Sequence, residues 1–577
     1  MPETNTPREA VVLVEPISTP RAMIGLVASK NILPIVIFTN YRVHPENAVY
    51  ELLHLRDETE KSIRKEYKKQ AFFINEPNDY NALIKQLKQY QIIGVIKGSD
   101  GGVRLGEKIS RSFNLPTNRP NFFNWALDKF KVNKKIKSAG VRAIKTFLFN
   151  RKDNHEKLIL KCANHYPLFI KPPLGAGGCN SYIAYNAKDL KKHIKEIFNI
   201  RNNQQYLYRE ILVQELINGE EYVVNTYTQN GHHYVSDVWK YIKEITNRGA
   251  FIYRNTILLN GNSVIKQTII NYATSVLNAC KFQNGPCHME IKVDHNGPVL
   301  IECNWRTMGG SQFLTEPLCL GSSQNGLYLS TATEPHFGQE KLNKLYEDYS
   351  GYAECLDIMP QIHGTVKRIN LPFLLQKLPS FHRDIIFVDP GFKVIPAQSI
   401  DDDLGNIQFY HHDHSILKKD VDLFMEIEDH CLDIFFEFEQ KPIDRDYKLP
   451  RTTNSDLKKL EAFITEQKGQ LIGLNRSAKI LWHNLTKNKT HVNKLHTNKH
   501  TYVIIDNYRV SSDICKSFTW IDQLERKIKK GTTLVFTNNF LNKTCHGFKY
   551  LLALNNLLPR TPANCQLLHK FSFWTKK

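Results

Sequence analysis

The first hundred residues alternate between short unbroken apolar runs and longer amphipathic stretches. VVLVEP (11–16) and PIVIFT (34–39) are short and apolar on both faces, so each reads as a strand buried on both sides. The amphipathic PRAMIGLVASKN between them reads as a short helix. A second unit repeats the alternation: helix YNALIKQLKQY, strand IIGVIKG, then Ser99-Asp100-Gly101-Gly102 opening the helix VRLGEKISRSF. Strands alternating with helices predict a parallel sheet. The Gly-Gly turn is a strand-to-helix turn, with a phosphate cradle as its alternative.

Further along, NFFNWALDKFKVNKKIKSAG (121–140) predicts a helix that stops at Gly140, followed by a strand that Pro167 punctuates before LFIKPP. A core pattern runs to about residue 335. The region 345–440 holds short strands and turns (GTVKRI, DIIFVDPGFKVIPAQ) and ends in the helix DVDLFMEIEDHCLDIF. The stretch 450–577 predicts strand, helix, strand in TYVIID, TWIDQLERKIKKG and TTLVFTN, one further α/β unit. The polar, proline-bearing EQKPIDRDYKLPRTTNSD before it reads as a linker.

Composition narrows the class. The 577 residues suffice for three or four domains, and a 41% hydrophobic content is ordinary for a globular protein. No apolar run reaches the ~18 residues of a membrane span, and the N-terminus lacks a signal-peptide pattern, so a cytoplasmic protein is expected. Eleven cysteines without a CxxC argue against a cysteine zinc site or a disulfide framework. The net charge of +20 is uneven. From Lys441 onward 25 Lys/Arg stand against 9 Asp/Glu, giving +16 and leaving +4 on the first 440 residues. Such a tail can attract an acidic partner, but it carries no nucleic-acid recognition motif.

The chemistry concentrates in three motifs. In HMEIKVDHNGPVLIECNWR (288–306) two strands flank a turn. A three-residue loop with Gly297 in its left-handed position sets Glu290 opposite Glu302. Alternation then puts Glu302, Asn304 and Arg306 on one face and Val299, Ile301 and Cys303 on the other. Two opposed carboxylates repel, and a divalent cation with hard oxygen ligands relieves this, Asn304 adding a third oxygen. Arg306 stands beside them, where phosphate charge would develop. The second motif, YPLFIKPPLGAGG (166–178), delivers Lys171 at a strand end. Gly175, Gly177 and Gly178 follow, whose backbone N–H groups can approach phosphate oxygens. Third, VQELINGEE (213–221) offers the backbone around Gln214, Glu215 and Ile217 to an adenine rim and the Glu221 carboxylate to ribose hydroxyls.

In this order the motifs resemble the ATP-grasp superfamily over residues ~10–335. The resemblance makes Lys129, in Leu127-Asp-Lys, the first ATP-grasp lysine and Lys171 the second, with Gly175–Gly178 the loop over the phosphates. It implies that Glu290, Glu302 and Asn304 bind Mg²⁺ or Mn²⁺ and that Arg306 steadies the transferring phosphate. The fold class implied is α/β: a Rossmann-like domain (1–120), an ATP-grasp core (121–335), a closing subdomain (336–445) and a basic α/β accessory domain (450–577). After Arg306 the chain reads Thr-Met-Gly-Gly-Ser, not the Gln-Val-Glu-His of biotin carboxylases, and Met308-Gly309-Gly310 resembles carboxylate–amine ligases such as dipeptide ligases. The function implied is ATP-dependent amide formation between a small carboxylate and an amine, with amino acids as the expected substrates, through an acyl-phosphate. A carboxylating enzyme and an inactive nucleotide-binding module are the alternatives. Trp305 stands where that branch has a small residue, which suggests an indole narrowing the acyl site.

Overall fold

The computed structural model describes residues 7–17, 19–41, 53–173, 180–200, 207–245, 251–334, 350–397 and 402–439, with five strands beyond 470. The contacts divide the chain into two units. Met1–Met359 with Ala397–His414 form the first, and Pro360–Pro396 with Ser415–Lys577 the second.

The first unit opens with β1 (Glu9–Val14), α1 (Arg21–Ser29), β2 (Leu33–Phe38), α2 (Leu53–Glu66), β3 (Phe72–Asn75), α3 (Tyr80–Leu87), β4 (Gln91–Lys97) and α4 (Asp100–Ser112). The four strands pair in parallel in the order β3-β2-β1-β4, as the alternating pattern predicts. Their residues alternate between two cores. Val11, Leu13 and Val36 pack with Met23, Ile24 and Val27 of α1, while Val12, Val14 and Ile35 pack with Leu83, Leu87 and Ile109 of α3 and α4. Each such side chain contributes about 1.5–3 kcal/mol by leaving water, and this two-sided burial is why the runs are apolar throughout.

The predicted 121–140 helix is broken. α5 (Phe123–Ala126) ends before Asp128, which caps α6 (Lys129–Ser138) by accepting from the N–H groups of Phe130 and Lys131. An acidic cap in mid-stretch outcompeted continuation of the helix. Gly140 (φ +79°) does end the segment. A small antiparallel layer follows, built from β5 (Thr146–Asn150), α7 (His155–Lys161), β6 (Leu168–Lys171), β7 (Tyr182–Ala184), α8 (Ala187–Asn199) and β8 (Glu210–Glu215), with strand order β5-β8-β6-β7. Phe149, Leu168, Ile170, Leu190, Ile194 and Val213 fill its core.

The large sheet comprises β9 (Glu220–Gln229), β10 (His232–Ile245), β11 (Phe251–Leu258), then, after α9 (Val264–Cys280), β12 (Gly285–Asp294) and β13 (Gly297–Asn304). Helices α10 (Glu316–Leu320) and α11 (Gln324–Thr333) precede β14 (Tyr352–Asp357). Within this unit the order is β13-β12-β9-β10-β11-β14 and then the strand Gly405–His411, antiparallel throughout. Helix α11 lies so close to β4 that a Cβ on Gly94 would come within 2.2 Å of the Ala332 carbonyl oxygen. Only glycine permits that contact, which joins the parallel layer to the large sheet.

In the second unit, the strand Gly364–Ile369 pairs with Lys393–Val394 and with Phe436–Phe438. The expected helix spans His414–Phe435, kinked at Cys431. At the C-terminal end, Gln470–Gly473, Thr501–Ile505 and Thr533–Thr537 pair in parallel, and Phe571–Lys576 pairs antiparallel with Thr533–Thr537 and with Leu557–Pro559. TYVIID and TTLVFTN are therefore strands, while TWIDQLERKIKKG lies outside the described residues. Among the described residues no helix is long and apolar enough to cross a membrane.

Candidate active site

The β12–β13 hairpin sets the site. Glu290 and Glu302 are paired across the strands, and Asn304 pairs with His288. The route to that pairing differs from the expectation. The turn is the two residues His295 and Asn296, with Asp294 opposite Gly297, and an irregularity beside Glu290 restores the register by inserting Ile301. The extra residue also changes the faces. Val299 and Ile301 join Ile144 and Ile217 in an apolar cluster, whereas Leu300 and Cys303 turn into the core with Met289 and Ile291.

A cleft of ≈ 730 Å³, open to solvent, lies over this hairpin. Its lining includes Leu127, Lys129, Ile144, Gln214, Ile301, Glu302, Asn304 and Arg306, together with Asp100. Lys129, the first residue of α6, brings Nζ to 3.3 Å from Glu302 Oε1. Lys171 ends β6 and is buried. Loss of water and the neighbouring Lys129 pull its ammonium down to about 8, against the attraction of Glu302, Glu290 and Glu221. A nearby triphosphate would reverse that depression. Nucleotide affinity is therefore expected to fall as pH rises through about 8, where Lys171 loses its proton, and to stay level over that range in Lys171→Arg. Lys171→Ala is expected to weaken binding at every pH below 8. Titrating a fluorescent ATP analogue between pH 6.5 and 9.5 checks both.

Burial alone would push the Glu290 carboxyl up. Lys243, His288 and Lys129 outweigh it and hold the group well below the usual carboxylate range. His288 Nε2 lies 3.7 Å from Glu290, while its Nδ1 donates to Asn225 Oδ1 at 2.8 Å. Asn225 in turn donates to Asp237, which also accepts from Trp239 Nε1 at 2.7 Å. This buried line fixes Glu290 from behind, the support a ligating carboxylate requires. Among the described residues no cluster of three or more His, Cys, Asp or Glu side chains suits a metal. The donor set here is instead two carboxylates and an amide. Those oxygens are hard donors that would fit Mg²⁺ or Mn²⁺.

Gln214, near the β8–β9 connection, also lines the cleft. Gln214 donates to Thr146 Oγ1 at 3.0 Å, and the Glu215 carboxylate accepts from the Lys145 N–H at 2.8 Å. Leu216 N–H donates to the Pro167 carbonyl. The Ile217 carbonyl accepts from Lys292 at 3.3 Å. Glu221 is buried and accepts from Lys243, with Lys292 at 3.9 Å. Arg306 Nε donates to Asp100 Oδ2 at 2.9 Å and Nη1 to the Thr307 carbonyl at 2.9 Å. Gly175, Gly177 and Gly178 lie outside the described residues.

Trp305 does not face an acyl site. It is 1% exposed, packs edge-on to Phe122 and against Phe282, and donates through Nε1 to the Ala126 carbonyl at 2.7 Å. The alternation that aims Asn304 and Arg306 at the cleft sends the residue between them into the core. Trp305→Phe is expected to cost about 2 kcal/mol, from a cavity and an orphaned carbonyl, with carboxylate preference unchanged. Thermal unfolding beside a substrate screen checks this. Sequence reasoning also missed Asp100, Lys243, Lys292 and His288. His288 was visible by its parity with Glu290, whereas the other three meet their partners only through the tertiary fold.

This arrangement defines a class. Residues 164–315 match the family model of the ATP-grasp domain. That segment is thus similar to the ATP-grasp domain. Two curated relatives are similar over part of it. Dapdiamide A synthase of Enterobacter agglomerans is 26% identical over 274 residues, 47% of this chain and 64% of that protein. The L-arginine-specific L-amino acid ligase of Bacillus subtilis is 22% identical over 250 residues, 42% of this chain and 57% of that one. The chain thus spans less than two thirds of the length of either. Among solved structures, the L-amino acid ligase from Bacillus licheniformis shares the fold with a TM-score of 0.55 at 16% identity, over 74% of this chain and 98% of that one. Phosphoribosylglycinamide synthetase from Anaerococcus prevotii follows at 0.51 and 14%, over 75% and 100%.

Proposed function

We propose that the protein is an ATP-dependent carboxylate–amine ligase that forms an amide bond through an acyl-phosphate and releases ADP and phosphate. The observation that carries this is one cleft lined by Lys129, Glu302, Asn304 and Arg306, with Glu290 paired to Glu302 across the strands and the buried Lys171 within electrostatic reach of both carboxylates. Phosphoryl transfer needs positioning and charge dispersal more than covalent chemistry, and these residues provide both. Ile144, Ile217, Val299 and Ile301 form an apolar wall suited to a flat base, and the connection from Gln214 to Ile217 borders it. Glu221 takes the ribose, and Lys129 and Lys171 take the phosphates, with Gly175, Gly177 and Gly178 covering them. Arg306 steadies the phosphate leaving ATP and then the acyl-phosphate oxygens. A divalent cation held by Glu290, Glu302 and Asn304 supplies further neutralisation of phosphate charge when bound.

The name of one curated relative, an L-arginine-specific L-amino acid ligase, supports amino acids as substrates. All these site residues fall in the first unit. The divisions 1–120, 121–335, 336–445 and 450–577, and a cytoplasmic setting, form part of the same proposal. The test supplies the full chain with ATP, Mg²⁺ and each pair of the twenty protein amino acids, reading ADP release and product mass. Amino-acid-dependent ADP with a product short of one water is the expected result. ADP release that no amino acid stimulates would overturn it.

A further inference from the structure

The ligase reading leaves the amine unplaced. An α-ammonium approaching this cleft meets Lys129 and Arg306, both cationic, on the lining. Two carboxylates also line it, Glu302 and Asp100. Glu302 already faces Lys129 and Glu290. Asp100 is different. Its Oδ2 accepts from Arg306 Nε at 2.9 Å, and Oδ1 has no hydrogen-bond partner among the described residues. Its side chain is 17% exposed, enough to meet a ligand.

Its position is also set by close packing. Asp100 begins α4 directly after β4, and the turn is pressed against the end of β1. A Cβ on Gly102 would lie 2.4 Å from the Val14 carbonyl oxygen, and one on Gly98 2.6 Å from that of Glu15. The carboxylate is therefore carried beside Arg306 on a turn packed closely against the end of β1. Gly98 and Gly102 thus serve the packing of the turn that carries Asp100.

We propose that Asp100 is the receptor for the incoming amine: its carboxylate draws the ammonium group to the activated carboxyl and takes the proton it must lose. This rests on the ligase reading. The nitrogen lone pair attacks the acyl carbon, the C–N bond forms, and the C–O bond to phosphate breaks with its electron pair leaving on phosphate. Of the three ammonium protons one stays on the amide, one leaves with hydrogen phosphate, and one passes through Asp100 to solvent. Arg306, bound to the same carboxylate, then sits against the acyl-phosphate while Oδ1 meets the amine, so one pair of side chains brings the two reactants together.

The test separates the two half-reactions in Asp100→Asn, which keeps the size of the side chain and an oxygen for Arg306. Hydroxylamine is an uncharged nucleophile near neutral pH and needs neither an anionic receptor nor a base. With each of the twenty protein amino acids as carboxylate, hydroxamate formation by the variant is expected within ~3-fold of wild type. With the best carboxylate and the same twenty as amines, amide formation is expected to fall by ~100-fold or more, and to recover as pH is raised and more amine is neutral. A parallel fall of both products would make Asp100 a holder of Arg306 alone, and unchanged amide formation would remove it from the reaction. Either result overturns the proposal. Wild-type protein that forms neither product overturns the ligase reading as well.

Discussion

Glu302→Gln and Glu290→Gln are each expected to abolish ATP turnover while leaving the fold intact. The two carboxylates are direct cross-strand partners, and nothing in a sheet favours that pairing unless a cation or cationic side chains share it. Lys129 at 3.3 Å offsets Glu302, and Lys243 and His288 offset Glu290. The carboxylate pair is thus balanced well enough to fold without a metal ion. An amide keeps the size and removes the charge; the mutual repulsion goes, but so does the attraction of Lys129, Lys243 and His288, so the metal-free variants should fold with a melting temperature below that of wild type. Loss of an outer-shell partner typically lowers metal affinity ~10–100-fold, and loss of a direct ligand should exceed that. Mn²⁺ binding in the presence of ADP, followed by electron paramagnetic resonance, gives a readout independent of turnover. A variant that binds Mn²⁺ like wild type would take these carboxylates out of the metal site.

The hairpin that carries this prediction was the most legible part of the chain. Glu290, Glu302, Asn304 and Arg306 lie within seventeen residues of one another, so local alternation brings them together. Even there the register was reached by an unforeseen route. A two-residue turn and an inserted Ile301 give the Glu290–Glu302 pairing that a three-residue loop was expected to give. Since Ile301 is apolar and strand-forming, no turn residue marks the insertion. Trp305 was legible and misread, because its parity with Cys303 already assigned it to the core.

What the pattern could not supply were contacts made by distant segments. Asp100 and Arg306 are 206 positions apart and meet because α11 seats the parallel layer against the large sheet. Glu221 and Lys243 meet across β9 and β10, where one register irregularity falls between Val235 and Asp237 and another, toward β11, after Ile242. The helix α2 was invisible for another reason. Its stretch LHLRDETEKSIRKE is mostly charged, and Arg56, buried against Glu15, occupies a place where an apolar residue would have marked the inner face. Burial through a satisfied ion pair leaves no hydrophobic period to read.

Arg306→Lys is expected to cost both half-reactions ~10²–10³-fold while leaving nucleotide affinity within a few-fold of wild type. Arginine is held here as a planar fork. Nε is fixed by Asp100 and Nη1 by the Thr307 carbonyl, which orients the guanidinium before any substrate arrives. Lysine keeps the charge but offers a point donor on a flexible stem, so it cannot satisfy Asp100 and a phosphoryl oxygen in one fixed geometry. Charge that develops on transfer is stabilised by donors already in place, and removing one such donor typically lowers turnover by that factor. In the proposed reading ATP affinity rests instead on Lys129, Lys171 and the apolar wall, which the substitution leaves alone. The contrast with Asp100→Asn makes the outcome informative. If Arg306 acts on the acyl-phosphate, hydroxamate and amide formation fall together in Arg306→Lys, whereas the aspartate variant loses the amide alone. Single-turnover ADP formation with the best carboxylate and hydroxylamine measures the first step directly. A near-normal rate there would confine Arg306 to holding Asp100, and the roles of the pair would have to be exchanged.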